Sequence, residues 1–485
     1  MDTLAGQKNS KVPGLAALLG AAVGLLGGLL LVQMFQLGYL LSLLVIGAVV
    51  LMLASLDTYR AWLLLLLAAN INIFRFVVSD FTIRPEQIVF MALILGLAMS
   101  FLIGKIRFYR VPMLLPLFLY LTANFVASAL YSPDKAESYK GSTLLVIYGM
   151  MYIGTVLVLN THSDKLKNAI KILMVFAGIH AAFSILALAL HAAGLDIGFV
   201  MRPISESSAS WRTSGGFEEA NLLGAFTAAM GLMFIAFLTS KESAADSHRK
   251  LIFITLVVIL AAMILTYTRA AWIGFGIGMF MLLFMQKPPG NIFNPKTMTM
   301  LILSVMVLPV MLLPVLQAYA PALLNDTQNR MSEILDFSSS SGEGRVEVQK
   351  VALDRWRGSI MLGKGTLSLP PEAARPAPPG SWLYSSLIQA IHDTGIVGLL
   401  LYLWFQVGVL AVILRGYLLS RDPFLRSALA GFAAGGIALL IASQASSFIW
   451  LGFPWIFSGL GVAVAASEIK KHRAGCRRLH ELNRP

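Results

Sequence analysis

No charged residue appears between Val12 and Leu56. The apolar part of a secretory signal is about 7–15 residues long, so this run reads instead as a retained pair of membrane helices behind Lys8 and Lys11. Similar runs recur along the chain. A span needs about 20 apolar residues, which gives about fourteen candidates: 13–33, 38–56, 61–78, 86–104, 112–131, 142–160, 169–193, 219–239, 251–267, 271–286, 298–316, 394–414, 427–446 and 451–467. The shortest is 271–286. The expected fold class is an all-α polytopic membrane protein with about 12–14 transmembrane helices and a large, partly helical periplasmic loop. The chain is 57% hydrophobic and only 13% charged, where a soluble domain carries about 25% charged residues.

The charges that remain are placed unevenly. The net charge is +13, which in a soluble protein would suggest nucleic acid. Here basic clusters flank the spans: Lys105, Arg107 and Arg110; Lys165, Lys167 and Lys171; Lys241, Arg249 and Lys250; Lys287 and Lys296; Arg415, Arg421 and Arg426; and Lys470 to Arg478. With fourteen spans all of them fall on the side of the N-terminus, which places both termini in the cytoplasm and implies no nucleic-acid partner. The loops 132–141, 194–218 and 317–382 then face outward. The basic tail is expected to lie on anionic lipid. A single cysteine, Cys476, excludes an internal disulfide and a thiolate metal site. No His/Cys/Asp/Glu cluster has metal-ligand spacing, and no Gly-rich phosphate loop is present, so the expected metal and cofactor complement is none. Three units are expected: N-terminal helices over 1–200, a membrane core over 201–470 that includes the loop 317–382, and a tail over 471–485.

The loop 317–382 is the one long polar insertion. A structureless insertion of this length is usually a lid or binding loop. After the flexible SSSSGEG, Val348, Ala352 and Trp356 recur at i, i+4 and i+8, with Arg345, Lys350, Asp354 and Arg357 interspersed along the same run. This predicts an amphipathic helix lying on the membrane or on the bundle, most of its charges being a solvated face. Arg269 lies between two apolar runs with almost no loop. It either snorkels to the surface or is a guanidinium fixed at the depth of a lipid-linked phosphate. Arg202 and Arg212 precede Glu218, Glu219 and Asn221, where a span begins. Acidic residues there are expected as helix caps, with an acceptor-binding or base role as the alternative. The stretch from Trp382 to Leu403 predicts a short interfacial helix that turns into a span at Thr394–Gly395. On a continuous helix Tyr384 and His392 would stand about 12 Å apart. His392, followed by Asp393, is either structural or an oriented general base.

Four segments, in order, resemble a known family. They are RTSGGFEEANLLG, LTYTRAAWIG, GRVEVQKVALDRWRGSIMLGKG and YSSLIQAIHDTGIVGLLLYL, between about residues 205 and 405. Together they resemble the O-antigen ligase and Wzy-type polysaccharide polymerase superfamily of bacterial inner-membrane glycosyltransferases. The resemblance implies about twelve helices with a periplasmic lid and a donor glycan on undecaprenyl diphosphate. It puts Arg269 and Arg345 on the family's two essential arginines. Arg212, Glu218, Asn221 and Arg355 are the candidate substrate-binding residues beside them. The family's ligase histidine falls on Tyr384, with Ser385 beside it, so Tyr384 and His392 are the candidates for the missing base.

The activity implied is metal-independent, inverting glycosyl transfer to an acceptor hydroxyl on the periplasmic side, as in polymerisation of surface polysaccharide repeats. The alternative within the family is an O-antigen ligase acting on lipid A core or another anchor. A transporter or lipid flippase, and a membrane scaffold whose loop binds a partner, are readings from other classes. The partners implied are the lipid-linked oligosaccharide, the bilayer and other polysaccharide export proteins.

Overall fold

A computed structural model describes residues 57–71, 76–78, 81–104, 110–201, 211–240, 246–285, 340–369 and 383–482. The expected spans 13–33, 38–56 and 298–316 lie outside these residues, as does most of the first half of the loop 317–382. In chain order the helices are α1 (Thr58–Ala68), α2 (Pro85–Leu102), α3 (Leu114–Tyr131), α4 (Lys135–Thr161), α5 (Leu166–Ala192), α6 (Ala220–Thr239), α7 (Asp246–Leu265), α8 (Arg269–Met285), α9 (Ser340–Trp356), α10 (Ser386–Leu419), α11 (Pro423–Ala442) and α12 (Gly452–Leu482). Two short antiparallel hairpins, β1 (Phe76–Val78) with β2 (Phe81–Ile83) and β3 (Val200–Met201) with β4 (Arg212–Thr213), sit in connections. Among the described residues, eight helices are long and apolar enough to cross a membrane. This is an all-α polytopic membrane protein. The expected span 61–78 is corrected: α1 ends at Ala68, and β1 occupies the segment's far end. An apolar run this short is compatible with either periodicity.

α6 is the central helix, with every residue from Ala220 to Phe237 buried. Small residues make that possible. Its neighbours α8 and α11 approach closely where Gly274 and Gly278 face Ala438 and Ala434: a Cβ at either glycine would lie 2.6 and 2.7 Å from the carbonyl oxygens of those alanines. Close backbone approach replaces the hydrophobic drive that is missing between helices in lipid. Large apolar side chains point outward instead, among them Phe118, Val175, Ile179, Leu400 and Val407, as suits a surface facing acyl chains.

The bundle has two unlike ends. One is basic: Lys167 meets Asp422 at 2.6 Å, Arg426 lies over the Tyr417 ring, and Lys471 meets Glu468 at 2.7 Å. Asp422 caps α11 by accepting from Phe424 and Leu425 N–H. Burial pushes its carboxyl up, but Lys167 and these backbone donors more than offset that and hold it below the usual range. The other end collects the starts of α2, α6, α8, α10 and α12 and the ends of α7 and α11. All the polar chemistry described next lies there.

Candidate active site

The short connection between α11 and α12, residues 443–451, organises the polar end. Ser386 N–H donates to Ser443 O at 2.9 Å. Ser385 Oγ donates to Gln444 Oε1 at 2.8 Å. Asn221 Nδ2 donates to Ser446 Oγ at 3.1 Å. Arg345 donates from Nη1 to Ala445 O at 3.0 Å, and Arg84 donates from Nη1 to Trp450 O at 3.1 Å. One connection thus anchors α2, α6, α9 and α10. Its SQASSFIWL sequence gave no warning of this. It holds no charge and no motif, and each partner is far away in the chain.

Two arginines converge near the start of α6. Arg212, on β4, is buried and held from three sides: Nε donates to Thr266 O at 2.8 Å, and Nη2 to Asn221 Oδ1 at 2.8 Å and to Thr268 Oγ1 at 3.2 Å. The turn Thr266–Thr268 that receives it leads directly into α8, whose first residue is Arg269. Arg269 is half-buried at this same end. The second converging arginine, Arg345, enters from α9. The predicted amphipathic helix is present there. Val348 and Ala352 bury against Leu383, with Leu369 and Ile388 packed around them. α9 therefore rests on α10 and presents Arg345 to the bundle. The Arg345 guanidinium lies 5.1 Å from the centre of the Tyr384 ring, a cation–π arrangement.

Tyr384 precedes α10 and has a φ of 55°, so the continuous helix considered for Tyr384 and His392 is not formed. Burial pushes the Tyr384 phenol up, against the opposing field of Arg345. It stays protonated at neutral pH and supports Arg345 from below. Glu219 completes the group. The expectation that Glu218 and Glu219 cap α6 is corrected: Glu219 is the N-cap residue but its side chain makes no cap hydrogen bond. Burial pushes the Glu219 carboxyl up, Arg345 and Arg212 pull it down, and Glu218 raises it. Glu218 pairs instead with Arg84, at 3.0 Å.

Other expected residues sit elsewhere. His392 is buried, with Nδ1 2.8 Å from Asp393 Oδ1, and Asp393 Oδ2 accepts from Gln389 Nε2 at 2.6 Å. His392 Nε2 has no hydrogen-bond partner among the described residues. Arg355 Nη2 donates to Ser368 O at 3.3 Å, tying α9 to the segment that follows it.

That segment, 359–369, is a strap on α10. The predicted break at Thr394–Gly395 is there: Gly395 has φ 66° and ψ −164° inside α10. A broken helix in a membrane must have its freed backbone groups satisfied. The strap does so. Lys364 N–H donates to His392 O at 2.8 Å, and Gly365 N–H to Asp393 O at 3.0 Å. Ile396 and Val397 N–H donate to Ile360 and Met361 O at 3.0 and 3.3 Å. The approach leaves no room for side chains: a Cβ on Gly395 would lie 2.3 Å from Met361 O, and one on Gly363 2.5 Å from Asp393 C. Beyond it, Thr366 inserts among hydroxyls, bonding Asn124 Oδ1 and Ser142 Oγ at 3.1 Å each. Ser128, Ser138 and Ser142 continue the network.

Residues 254–403 match the family model described as O-antigen ligase. The matched segment, under a third of the chain, is similar to the O-antigen ligase family. The match spans α8 with Arg269, α9 with Arg345, the strap and the broken first half of α10. It supports membership of the O-antigen ligase and polysaccharide polymerase superfamily and an activity of that general type. Arg212, Glu218 and Asn221 lie before the matched segment yet share its polar end. Arg84, Glu86 and the 443–451 connection also lie outside it. No curated protein matches the chain.

Proposed function

We propose that the polar end transfers a glycan from undecaprenyl diphosphate to an acceptor hydroxyl, on the periplasmic side of the inner membrane, without a metal. The observation that carries this reading is the convergence of the buried Arg212 with the half-buried Arg345 and Glu219 beside the 443–451 connection. In the transfer, the acceptor oxygen attacks C1 of the donor sugar from the face opposite the diphosphate. The C1–O bond to phosphate breaks, and its electron pair leaves on the diphosphate. Arginines suit that leaving group, because a guanidinium gives a phosphate two donors in one plane. Preorganised cations at a developing charge are often worth several kcal/mol. Arg345 and Arg269 are read as the groups facing the leaving diphosphate, and Arg212 as the donor that fixes Asn221 and the start of α6.

The proton of the acceptor hydroxyl needs a base. Glu219 suits that role, since burial raises its carboxyl above the ordinary carboxylate range while it lies within the field of Arg345. A base works best with a pKa near the working pH. His392, oriented by Asp393, is the other candidate. The polymer product is a surface polysaccharide lengthened by one repeat. The printed family description, O-antigen ligase, favours a second reading in which the acceptor is a lipid anchor.

The test is a deletion strain complemented with wild type, Arg345→Ala or Arg269→Ala at matched protein level. The surface glycan is then read by gel. Capped single repeats in the deletion strain indicate the polymerase, and long chains left on the carrier lipid indicate the ligase. Unchanged glycan with both variants overturns the reading.

A further inference from the structure

Glu86 lies in the first turn of α2 and is fully buried. Neither of its carboxylate oxygens has a hydrogen-bond partner among the described residues. Its neighbour two residues back is a cation that is already committed. Arg84 donates to Trp450 O, to Tyr148 Oη at 3.5 Å and to Glu218 Oε2 at 3.0 Å. Gln87 does not reach Glu86 either: its Oε1 accepts from Arg84 N–H at 3.2 Å, and its Nε2 donates to Tyr148 Oη at 3.2 Å. The wall beside Glu86 is apolar and tight. A Cβ on Gly452 of α12 would meet Glu86 Cγ at 3.3 Å, Met151 Sδ of α4 at 3.0 Å and Ala69 Cβ, just past α1, at 3.3 Å.

Among the described residues, the groups that titrate or carry charge around Glu86 are therefore few. Arg84 is on its own segment, Tyr148 comes from α4 and Glu218 from the residues before α6. α1 and α12 contribute Ala69 and Gly452, which carry none. A carboxylate in such a place, with no side-chain donor bonded to it and the field of Arg84 as the main influence favouring its charge, is costly to ionise. One guanidinium stands beside both carboxylates: its field reaches Glu86, but its hydrogen bond goes to Glu218.

The same residues set the charge of the whole site. Arg84, Arg212 and Arg345 are electrostatically linked with Glu86, Glu218 and Glu219. With every group ionised these three positive and three negative charges cancel, and of the arginines read as facing an incoming diphosphate only Arg269 stands outside this balance. We propose that Glu86 stores the proton that makes this cluster cationic, and so sets the pH range over which it holds a lipid diphosphate. Glu86 is a positioning residue in this scheme: it acts through Arg84 and Glu218 and touches no substrate. The inference rests on the reading of this end as a diphosphate site.

The sign follows from linkage. A proton that must be present in the bound state makes binding favourable at low pH and weaker as pH rises through the ionisation of Glu86. The diphosphate gains negative charge over the same direction of pH, which by itself would strengthen binding, so a fall points to the protein. The experiment measures binding of undecaprenyl diphosphate to purified protein in nanodiscs from pH 6 to pH 9, for wild type and Glu86→Gln. Gln keeps the shape of the neutral carboxyl and cannot ionise. The expected result is an affinity for wild type that falls about tenfold or more across the range and an affinity for Glu86→Gln that stays level. The same fall in Glu86→Gln, or no fall in wild type, overturns the inference and leaves the diphosphate site standing. Loss of binding at all pH values in a folded Glu86→Gln protein also overturns it, because the ionised form would then be the one required. No binding by wild type at any pH overturns the diphosphate reading and this inference together.

Discussion

Two polar clusters are embedded in this apolar bundle, and they are built on opposite rules. The strap cluster around Thr366 contains hydroxyls, one amide and backbone groups, all uncharged. Asn124, Ser128, Ser138, Ser142 and Thr366 are each bonded to another member. The cluster around Arg345 is made of arginines and glutamates. It leaves the Glu86 oxygens without partners and a carboxyl at Glu219 that its neighbours pull in both directions. A satisfied neutral network in low dielectric rigidifies a fold. Ion pairs and unmatched carboxyls in the same setting are expensive and mark sites of function. The contrast separates the residues that hold the strap in place from those proposed to act.

Substitutions should sort by cluster. The largest effect is expected from Arg345→Ala, about a 10²–10³-fold loss of transfer at unchanged protein level. A comparable loss of folded protein would move Arg345 into the structural class. Glu219→Gln should follow, with transfer reduced about 10²-fold. In wild type the rate should rise with pH through a limb lying above the ordinary carboxylate range, because burial raises Glu219 and the base works ionised. A pH profile that keeps this limb in Glu219→Gln would shift the base to His392. In the strap, Gly395→Ala should destabilise the protein by about 1–3 kcal/mol from backbone strain alone, and more from the clash with Met361, read as a lower melting temperature in detergent. Thr366→Val should cost about 1–3 kcal/mol, since it leaves buried partners unsatisfied, with the transfer rate per folded molecule unchanged. The smallest effect is expected at the basic end. Asp422→Asn should lose about 1 kcal/mol or less from a cap and a part-exposed ion pair. Asp422 is held low in the folded protein, so its stabilisation is present above its unfolded pKa and disappears as pH falls through the folded one. Stability curves of wild type and Asp422→Asn that converge in acid would show this.

The parts of the site legible in the sequence were those encoded locally. The break in α10 follows from Thr394–Gly395, and the apolar stripe of α9 from the spacing of Val348 and Ala352. Both depend on residues within a few turns of each other. The misjudged parts depend on distant pairing. Glu218 and Glu219 carry every local mark of helix caps, and only Arg84, far away in the chain, shows that Glu218 is an ion-pair partner. Arg84 and Glu86 did carry a usable signal. Charges on both sides of Pro85, where a span begins, are unusual enough in an apolar chain to ask what they pair with. The span assigned to 61–78 failed because an apolar run of that length leaves room for a turn and a strand as well as a helix.

The strap carries a consequence for variation. All of its bonds to the broken helix run from main chain to main chain, so the contact is specified by backbone path and segment length. From Ile360 to Lys364 it reads shape and ignores chemistry, except at Gly363. Related chains could therefore exchange nearly every side chain in that stretch and keep the same clasp. A single inserted residue, which alters no chemistry, would put each donor opposite the wrong carbonyl.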